Sequence, residues 1–334
     1  MVNPMVQLAC MVMPQGPAGQ VVDVAVEAER LGFGRIWIPD EGIAARECWV
    51  TLGAVAVATS VAQIGTGITN VYTRHPAVTA AAVATLDELS NGRAALGLGA
   101  GGGLTLGPLA VKRHRPLAGL RDLISTSRAL WSGETVDHQG HTGGFSEAQM
   151  GYGRPDIPIW LAGRGPKLMN LAGELADGFI ASFIHKDLIG THLNIIRTEA
   201  ANHGRPCPRL AYTTMLAITD EDRNRAKAAL SFRLVDSPSD VKSLIGLDAR
   251  TEAKIRQNLA TGGPQHAARF VRDEWVDAFV ISGSADQCRH ELAALVQRHQ
   301  IDEFQVPLND LGAAGDDLAR AALIATGQAP QTRP

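Results

Sequence analysis

Two kinds of hydrophobic pattern alternate along the chain. Short runs are apolar at nearly every position, as in residues 35–39 (RIWIP). Longer stretches, such as residues 20–31, carry apolar side chains on one helical face and charged side chains on the other. Runs that are apolar throughout are typical of strands buried on both faces, whereas apolar residues at helical spacing predict amphipathic helices.

The pattern predicts eight strands, most of them followed by a helix. We predict strands at residues 6–13, 35–39, 62–69, 94–98, 157–162, 178–182, 209–218 and 303–307, and helices at 20–31, 48–60, 76–89, 116–131, 166–176, 186–203 and 286–299. A stretch punctuated by glycine at 135–145 predicts a hairpin. Residues 231–275 interrupt the alternation with a polar, helical segment that Gly and Pro break.

Repeated βα units with fully apolar strands imply a parallel sheet covered by helices. A closed barrel and an open doubly wound sheet both fit this alternation, and the count of eight favours the barrel. We therefore predict an α/β fold, a (β/α)8 TIM barrel, as one domain over residues 1–334. The segment at about 231–275 is expected to be a helical insertion before the last βα units.

Composition excludes several classes of function. The chain is 45% hydrophobic and 19% charged, and its formal net charge is −3, so it lacks the basic surface of a nucleic-acid-binding protein. The four cysteines are far apart, which is typical of thiols in a reducing compartment. The N-terminal residues lack the positive charges of a signal peptide, and the longest apolar stretch contains polar residues, so we expect a cytoplasmic protein without membrane partners.

In a barrel of this kind the loops that follow the strands converge on one face and carry the chemistry. We therefore expect the site to be built from residues at or just after the strand ends. From these positions we predict cofactor contacts from Met13, Asp40, Thr69, Asn70, Gly99, Ala100 and Gly101, and substrate contacts from Tyr72, Ser182 and His185.

A block of six residues, AGRGPK, lies between a predicted strand and a predicted helix. It comprises Ala162, Gly163, Arg164, Gly165, Pro166 and Lys167. The free N–H groups at a helix start, the helix dipole and the two cationic side chains together suit a phosphate. The alternative is a tight turn with surface charges.

A second glycine-rich block, residues 97–103 (GLGAGGG), contains a nominal G-x-G-x-x-G match. Residues 104–108 (LTLGP) are not expected to form the helix that a dinucleotide site requires at this point. We therefore predict a backbone platform for a planar ring instead.

Asp40 and Glu41 follow the second strand. Two carboxylates at one strand end can divide two tasks, one accepting a cofactor hydrogen bond and the other moving a proton. The alternative is a capping aspartate beside a solvated glutamate. His185 is a second candidate for proton transfer, and His75, at a helix start, is more typical of a cap. No residues have the spacing of a metal site.

Several segments together resemble the bacterial luciferase-like superfamily. They are residues 27–42 (EAERLGFGRIWIPDEG), 65–101, 120–136 (LRDLISTSRALWSGETV) and 157–180, in order and at the expected spacing over nearly the whole chain. Within that superfamily the chain is most similar to the coenzyme F420-dependent reductases and dehydrogenases, the group that includes methylenetetrahydromethanopterin reductase.

The resemblance implies a barrel that is usually a dimer and assigns roles by position. Asp40 matches an aspartate near the deazaflavin ring, and Gly67 and Ile68 match a bulged third strand that often carries a cis peptide behind the ring. Ala100 and Gly101 match the backbone around the ring and ribityl chain. Gly163 to Lys167 match the phosphate clamp.

Departures from the family pattern limit the assignment. Glu41 stands where several relatives have a histidine, and Gly102 stands where sugar-phosphate dehydrogenases of the group have a glutamate, so oxidation of a sugar phosphate is not indicated. Ser182 and His185 stand where relatives contact substrate.

The sequence thus predicts an F420-dependent oxidoreductase that transfers a hydride between C5 of the deazaflavin and a small organic substrate. Glu41 is the first candidate for the proton partner and His185 the second. The cationic loop at residues 112–115 favours the anionic tail of F420 over FMN. The alternatives are an FMN-dependent monooxygenase that uses reduced flavin and oxygen, and a catalytically silent ligand-binding barrel.

Overall fold

The computed structural model describes residues 6–327, in which eight parallel strands close into a barrel. They are β1 (Gln7–Val12), β2 (Arg35–Ile38), β3 (Gln63–Thr66), β4 (Ala94–Gly99), β5 (Ile159–Ala162), β6 (Gly178–Ser182), β7 (Arg209–Thr213) and β8 (Glu303–Leu308). Each strand pairs in parallel with the next, and β8 returns to β1 with Glu303 opposite Gln7. The closed ring confirms the predicted (β/α)8 barrel and excludes the open sheet.

Helices surround the barrel. The α-helices are Ala18–Arg30, Cys48–Ala58, Pro76–Leu89, Gly103–Leu106, Pro116–Trp131, Pro166–Leu175, Ile189–Asn202, Asp220–Val235, Ser239–Leu244, Ala249–Ala267, Asp273–Phe279, Ala285–His299 and Ala314–Thr326. Short 3₁₀ turns occupy Gly42–Ala44, Lys186–Leu188 and Ala268–Phe270. None of the helices within residues 6–327 is long and apolar enough to cross a membrane.

Short strands lie outside the eight-stranded ring. Thr69–Asn70 pairs with the end of β4, and Val136–Gly140 with Gly143–Ala148 forms an antiparallel hairpin that extends beyond the predicted 135–145. Leu216–Ala217 pairs with Ile281–Ser282.

One strand expected from the sequence was wrong in its extent. The strand expected over 209–218 is divided, because β7 ends at Thr213 and Leu216–Ala217 pairs with Ile281–Ser282 instead; between them Thr214 Oγ1 donates to Phe279 O at 2.6 Å. Gly103–Leu106 forms one helical turn before Gly107 and, as expected, not the helix that a dinucleotide site requires. Four residues are too few to show helical periodicity, and this turn is much shorter than the helix of a dinucleotide site.

The segment between β7 and β8 is helical from Asp220 to Phe279. Its first helix begins at a capping box, in which Thr219 Oγ1 accepts from the Asp222 N–H and the Asp222 carboxylate accepts from the Thr219 N–H. The helical segment therefore begins before residue 231, the point at which the sequence predicted the insertion to start.

The barrel interior is a packed core. Trp37 and Trp160 meet edge to face with ring centroids 5.6 Å apart, among small residues such as Ala95 and Ala211. Glycines of β4 and of the chain after β3 pack closely against this core: a Cβ at Gly67 would overlap Trp37, and a Cβ at Gly97 would overlap the Thr66 carbonyl. The Trp37 ring is therefore accommodated at a position where glycine has no side chain.

Candidate active site

Asp40 lies two residues beyond β2 and is fixed by the chain that follows β3. Its backbone N–H donates to Ile68 O at 3.2 Å, and Thr69 Oγ1 donates to Asp40 Oδ2 at 2.6 Å. The Gly42 N–H lies 3.4 Å from Oδ1. These contacts hold the half-buried carboxylate at the barrel mouth, at the strand end where the sequence predicted it.

Glu41 is half-buried and shares a short hydrogen bond. Thr105 Oγ1, on the one-turn helix after β4, donates to Glu41 Oε2 at 2.7 Å. Burial raises the pKa of Glu41, and the negative charge of Asp40 adds to this effect. The Thr105 hydrogen bond and the positive charge of Arg233 act in the opposite direction without cancelling the rise. Glu41 therefore holds a proton more readily than a solvated glutamate does.

A wall of backbone and small side chains stands beside this carboxylate pair. The peptide between Gly67 and Ile68 is cis, as the resemblance implied. Ile68 lies against Gly99, where a Cβ would overlap its Cδ1. Gly101 has φ +78°, a conformation that favours glycine, and a Cβ there would come within 2.7 Å of Leu106. Ala100 lies half-buried between these two glycines.

Asn70, Tyr72 and Met13 form parts of the rim. Asn70 Oδ1 accepts from the Tyr72 N–H at 2.8 Å and so shapes the turn after Thr69. The Tyr72 hydroxyl donates to His114 O at 3.1 Å, and burial raises its pKa. Met13, half-buried, is joined through its N–H to Leu308 O at the end of β8.

The predicted phosphate-binding block follows β5. Gly165 precedes Pro166, the first residue of the helix Pro166–Leu175, and Lys167 is exposed and without an ion-pair partner in the described part of the chain. Gly163 packs against Leu168, which leaves no room for a Cβ. Arg164 extends away from this turn and donates from Nη1 to Arg233 O at 3.2 Å.

His185 lies in the loop that follows β6. Its Nδ1 accepts from the Asp187 N–H at 3.2 Å and its ring meets Phe279 at 5.3 Å between centroids. Burial lowers its pKa, which favours the neutral imidazole. With Arg164 it lines a cavity of about 310 Å³ that Glu41 does not line. Among the described residues no hydrogen bond or ion pair joins the two candidates for proton transfer. Ser182, half-buried at the end of β6, precedes the loop of His185.

Arg233, on the helix Asp220–Val235, was missed by the sequence analysis. Its guanidinium carbon lies 3.8 Å from the Phe183 ring centroid. Burial, together with the charge of Arg164, lowers its pKa to about 9, and the charge of Glu41 opposes this. The chain carries no local signal for this residue, because its neighbours come from three different loops.

Two polar atoms inside the barrel were also missed. Thr213 Oγ1 and Gln305 Oε1 are buried without a hydrogen-bond partner, on adjacent positions of β7 and β8. Within residues 6–327 no three His, Cys, Asp or Glu side chains are grouped so as to hold a metal ion.

Comparison with known proteins places this geometry in a family. The model of the luciferase-like monooxygenases matches residues 3–302. A 5,10-methylenetetrahydromethanopterin reductase from Methanolobus tindarius is 31% identical over 290 residues, covering 85% of this chain and 89% of the relative. The enzyme of the same name from Archaeoglobus fulgidus is 33% identical, covering 78% of this chain and 80% of the relative.

The solved structures agree on the fold. The coenzyme F420 dependent tetrahydromethanopterin reductase from Methanopyrus kandleri superposes with a TM-score of 0.85 at 24% identity, covering 94% of this chain and 97% of that chain. This likeness shows the same barrel fold over almost the full length. Because the family model matches residues 3–302, the chain belongs to the luciferase-like monooxygenase family.

Proposed function

We propose that the protein is a coenzyme F420-dependent oxidoreductase that transfers a hydride between C5 of the deazaflavin and a small organic substrate. The observation that carries the proposal is the placement of Asp40 and Glu41 beside a wall of backbone at the barrel mouth. Relatives over most of the chain are named as methylenetetrahydromethanopterin reductases, and shorter matches include enzymes named F420-dependent glucose-6-phosphate dehydrogenases.

The residues around the wall fit a flat ring. Gly67, Gly99 and Gly101 pack so closely against Trp37, Ile68 and Leu106 that no side chain fits at these three positions. Ile68 and Ala100 add apolar contact, and Asp40, Thr69 and Asn70 supply polar groups at its edge. When bound here, F420 supplies the hydride-carrying carbon, and the protein supplies orientation and charge.

The block that follows β5 fits the cofactor phosphate. The helix Pro166–Leu175 begins directly after Gly165, so the positive end of its dipole and the Lys167 N–H lie at this turn. Lys167 is exposed on its first turn and lacks a competing carboxylate among the described residues. We assign Ala162, Gly163, Gly165, Pro166 and Lys167 to this role, with Lys167 as the cation, because the Arg164 side chain extends to the Arg233 carbonyl.

Glu41 is assigned as the proton partner of the substrate. Its raised pKa means that it keeps a proton at higher pH than a solvated glutamate does, as suits a general acid. His185 is the second candidate, because its neutral imidazole lines the adjacent cavity. Tyr72 and Ser182 complete the proposed substrate contacts.

The protein is further proposed to act as a homodimer. The helix Cys48–Ala58 is apolar on its outer face as well as its inner face, with Val50 74% exposed and Val57 70% exposed. Ile43, Val61 and Leu104 are exposed large apolar residues of neighbouring segments. A helix that is apolar all round is typical of a buried helix, so we expect a second copy of the chain to cover this face.

The test is a binding titration of the purified protein with coenzyme F420 and, in parallel, with FMN. Micromolar binding of F420 without binding of FMN is expected, followed by turnover of bound F420 with candidate substrates in the absence of oxygen. Binding of FMN alone would establish the monooxygenase alternative, and failure of both would establish a barrel that binds neither cofactor.

A further inference from the structure

Two arginine side chains near the barrel mouth lack a carboxylate partner. Arg164 and Arg233 are half-buried and adjacent, since Arg164 Nη1 donates to the Arg233 carbonyl at 3.2 Å. Within residues 6–327 no carboxylate oxygen lies within 4 Å of either guanidinium. Arginines removed from water are normally paired, because an uncompensated charge in a low-dielectric site is costly.

The nearest acidic groups compensate these charges only at a distance. Glu41 attracts Arg233, but its Oε2 accepts from Thr105 and it forms no ion pair. Asp236, which is exposed, acts in the same way on Arg164. Burial lowers the pKa of both guanidiniums, and the charge of Arg164 lowers that of Arg233 further. An anion placed between the two would relieve this repulsion.

Arg233 is held in position by packing rather than by an ion pair. Its guanidinium stacks 3.8 Å from the Phe183 centroid, and its Nη1 donates to Ala229 O at 2.5 Å. Neither Nε nor Nη2 has a hydrogen-bond partner in the described chain. A stacked guanidinium with free N–H groups is pre-organised to bind a planar oxyanion.

A cavity is lined by Arg164 and by Phe183, the ring on which the Arg233 guanidinium stacks. Its volume is about 310 Å³, and Phe183, Ile184, Ile195 and Val241 form much of its apolar lining. His192 also lines it, and His192 Nδ1 is buried without a partner. The cavity therefore offers room for an apolar body, with the Arg164 cation at its edge and the imidazoles of His185 and His192 in its wall. The carboxylate of Asp240, an exposed residue, also borders it.

We propose that Arg164 and Arg233 bind the oxyanion of an organic acid, carboxylate or phosphate, whose apolar part occupies this cavity. The proposal rests on the proposed function and deepens it, because it makes the substrate an organic acid that binds in the cavity lined by Arg164 and His185. The same chemistry could come from the phosphate of the cofactor, and the experiment separates the two sources.

Hexanoate and hexan-1-ol serve as a matched pair of probes that differ in the anionic group. By isothermal titration calorimetry of the full chain, we expect hexanoate to bind at least tenfold more tightly than hexan-1-ol. Arg233→Met should abolish this difference while leaving hexan-1-ol unchanged. Lys227→Met is the control, because Lys227 lies on the same helix but pairs with Asp273 at 3.0 Å.

The cofactor is tested with F420 and with its chromophore fragment that lacks the phosphate. If Arg233→Met weakens F420 at least tenfold but not the fragment, the oxyanion is the cofactor phosphate. If it weakens hexanoate and leaves F420 unchanged, the oxyanion belongs to the substrate. Equal binding of hexanoate and hexan-1-ol by the native chain, with F420 binding unchanged in Arg233→Met, would overturn the proposal.

Thermal melting shows whether Arg233→Met is folded, and Arg164→Gln provides a second variant for the same titrations if it is not. The proposed function has a separate readout. A native chain that binds hexanoate through Arg233 but binds no F420 would refute the cofactor assignment and leave the oxyanion site intact.

Discussion

Thr105 Oγ1 donates a hydrogen bond to Glu41 Oε2 at 2.7 Å, joining the loop after β2 to the helical turn after β4. The bond orients the carboxylate that we assign to proton transfer. It also partly offsets the effect of burial, since a hydrogen bond to the ionised form stabilises that form. Position and protonation of Glu41 therefore depend on a residue 64 positions away along the chain.

Replacing Thr105 by valine should move the titration of Glu41 to higher pH. Thr105→Val keeps the shape of the side chain and removes the donor, so the pKa of Glu41 rises further above its usual value. The inflection in the pH profile of kcat that belongs to Glu41 is expected to move upward, whichever protonation state is active. Glu41→Gln should remove that inflection.

Thr85→Val is the matched control for this experiment, since Thr85 is exposed and its hydroxyl donates to Ala81 O within its own helix. Its pH profile should coincide with that of the native protein. An unchanged profile in both Thr105→Val and Glu41→Gln would exclude Glu41 as the proton partner.

Removal of the Lys167 amine should weaken cofactor binding. A hydrogen bond to a charged group contributes about 1.5–3 kcal/mol. We therefore expect Lys167→Ala to raise the Kd of F420 by roughly 10- to 150-fold in a fluorescence titration. Lys254→Ala, which removes another exposed lysine from the helix Ala249–Ala267, should leave the Kd unchanged. Equal affinities for all three proteins would refute the phosphate assignment.

The strands and the carboxylate pair could be predicted because their signals are local. A run such as 178–182 is apolar throughout, and the predicted bounds agree with Gly178–Ser182 in the structure. Asp40 and Glu41 follow from the position of a strand end alone. The inward-facing Gln305 could also have been noticed, as a polar residue within the apolar β8.

Other parts of the site depend on packing between distant segments. Arg233 is an ordinary residue of a polar helix until that helix rests on Phe183, which follows β6. Thr105 lies in a helix of four residues, too short to show periodicity. His185 follows a strand as expected, yet its distance from Glu41 depends on how the loops fold over the barrel.

The buried ion pair at the base of the barrel should be sensitive to loss of one partner. Arg35 Nη2 lies 3.0 Å from Glu303 Oε1, and the two side chains are 2% and 0% exposed. Glu303→Gln leaves the guanidinium buried without its counter-charge, so the free energy of unfolding should fall by about 3–5 kcal/mol.

The double variant Arg35→Met, Glu303→Leu should lose less than the sum of the two single changes, because neither charge then remains unpaired. Urea denaturation of the native protein, Arg35→Met, Glu303→Leu and the double variant measures this coupling. Strict additivity would mean that Arg35 and Glu303 do not act as a pair.

An acidic residue in the exposed apolar face should disrupt the proposed dimer. Val57→Glu places a charge in the centre of this face, and burial of an unpaired charge opposes association. Light scattering should then report a monomer where the native chain is a dimer. Val26→Glu, at an exposed valine of the helix Ala18–Arg30, should not change the mass. A native chain that is monomeric at high concentration would refute the proposal.

The last prediction concerns Asp222, which joins the helix Asp220–Val235 to the helix Ala314–Thr326. Its Oδ1 accepts from Arg225 at 2.6 Å and from Arg320 at 2.7 Å. Burial alone would raise the pKa of Asp222, but the hydrogen bonds from Arg225, Thr219 and Arg320 outweigh it and hold that pKa well below its usual value. The ionised form is therefore specifically stabilised in the folded protein.

A carboxyl group whose pKa is lowered by folding contributes stability above its unfolded pKa of about 3.9, and this contribution declines as the pH falls below that value. At pH 7, Asp222→Asn should lower the free energy of unfolding by about 1.5–3 kcal/mol. The difference from the native protein should shrink steadily as denaturation is repeated below about pH 4. Asp23→Asn, at an exposed position of the helix Ala18–Arg30, should show little difference at either pH. A gap for Asp222→Asn that is independent of pH would show that shape, and not charge, accounts for its effect.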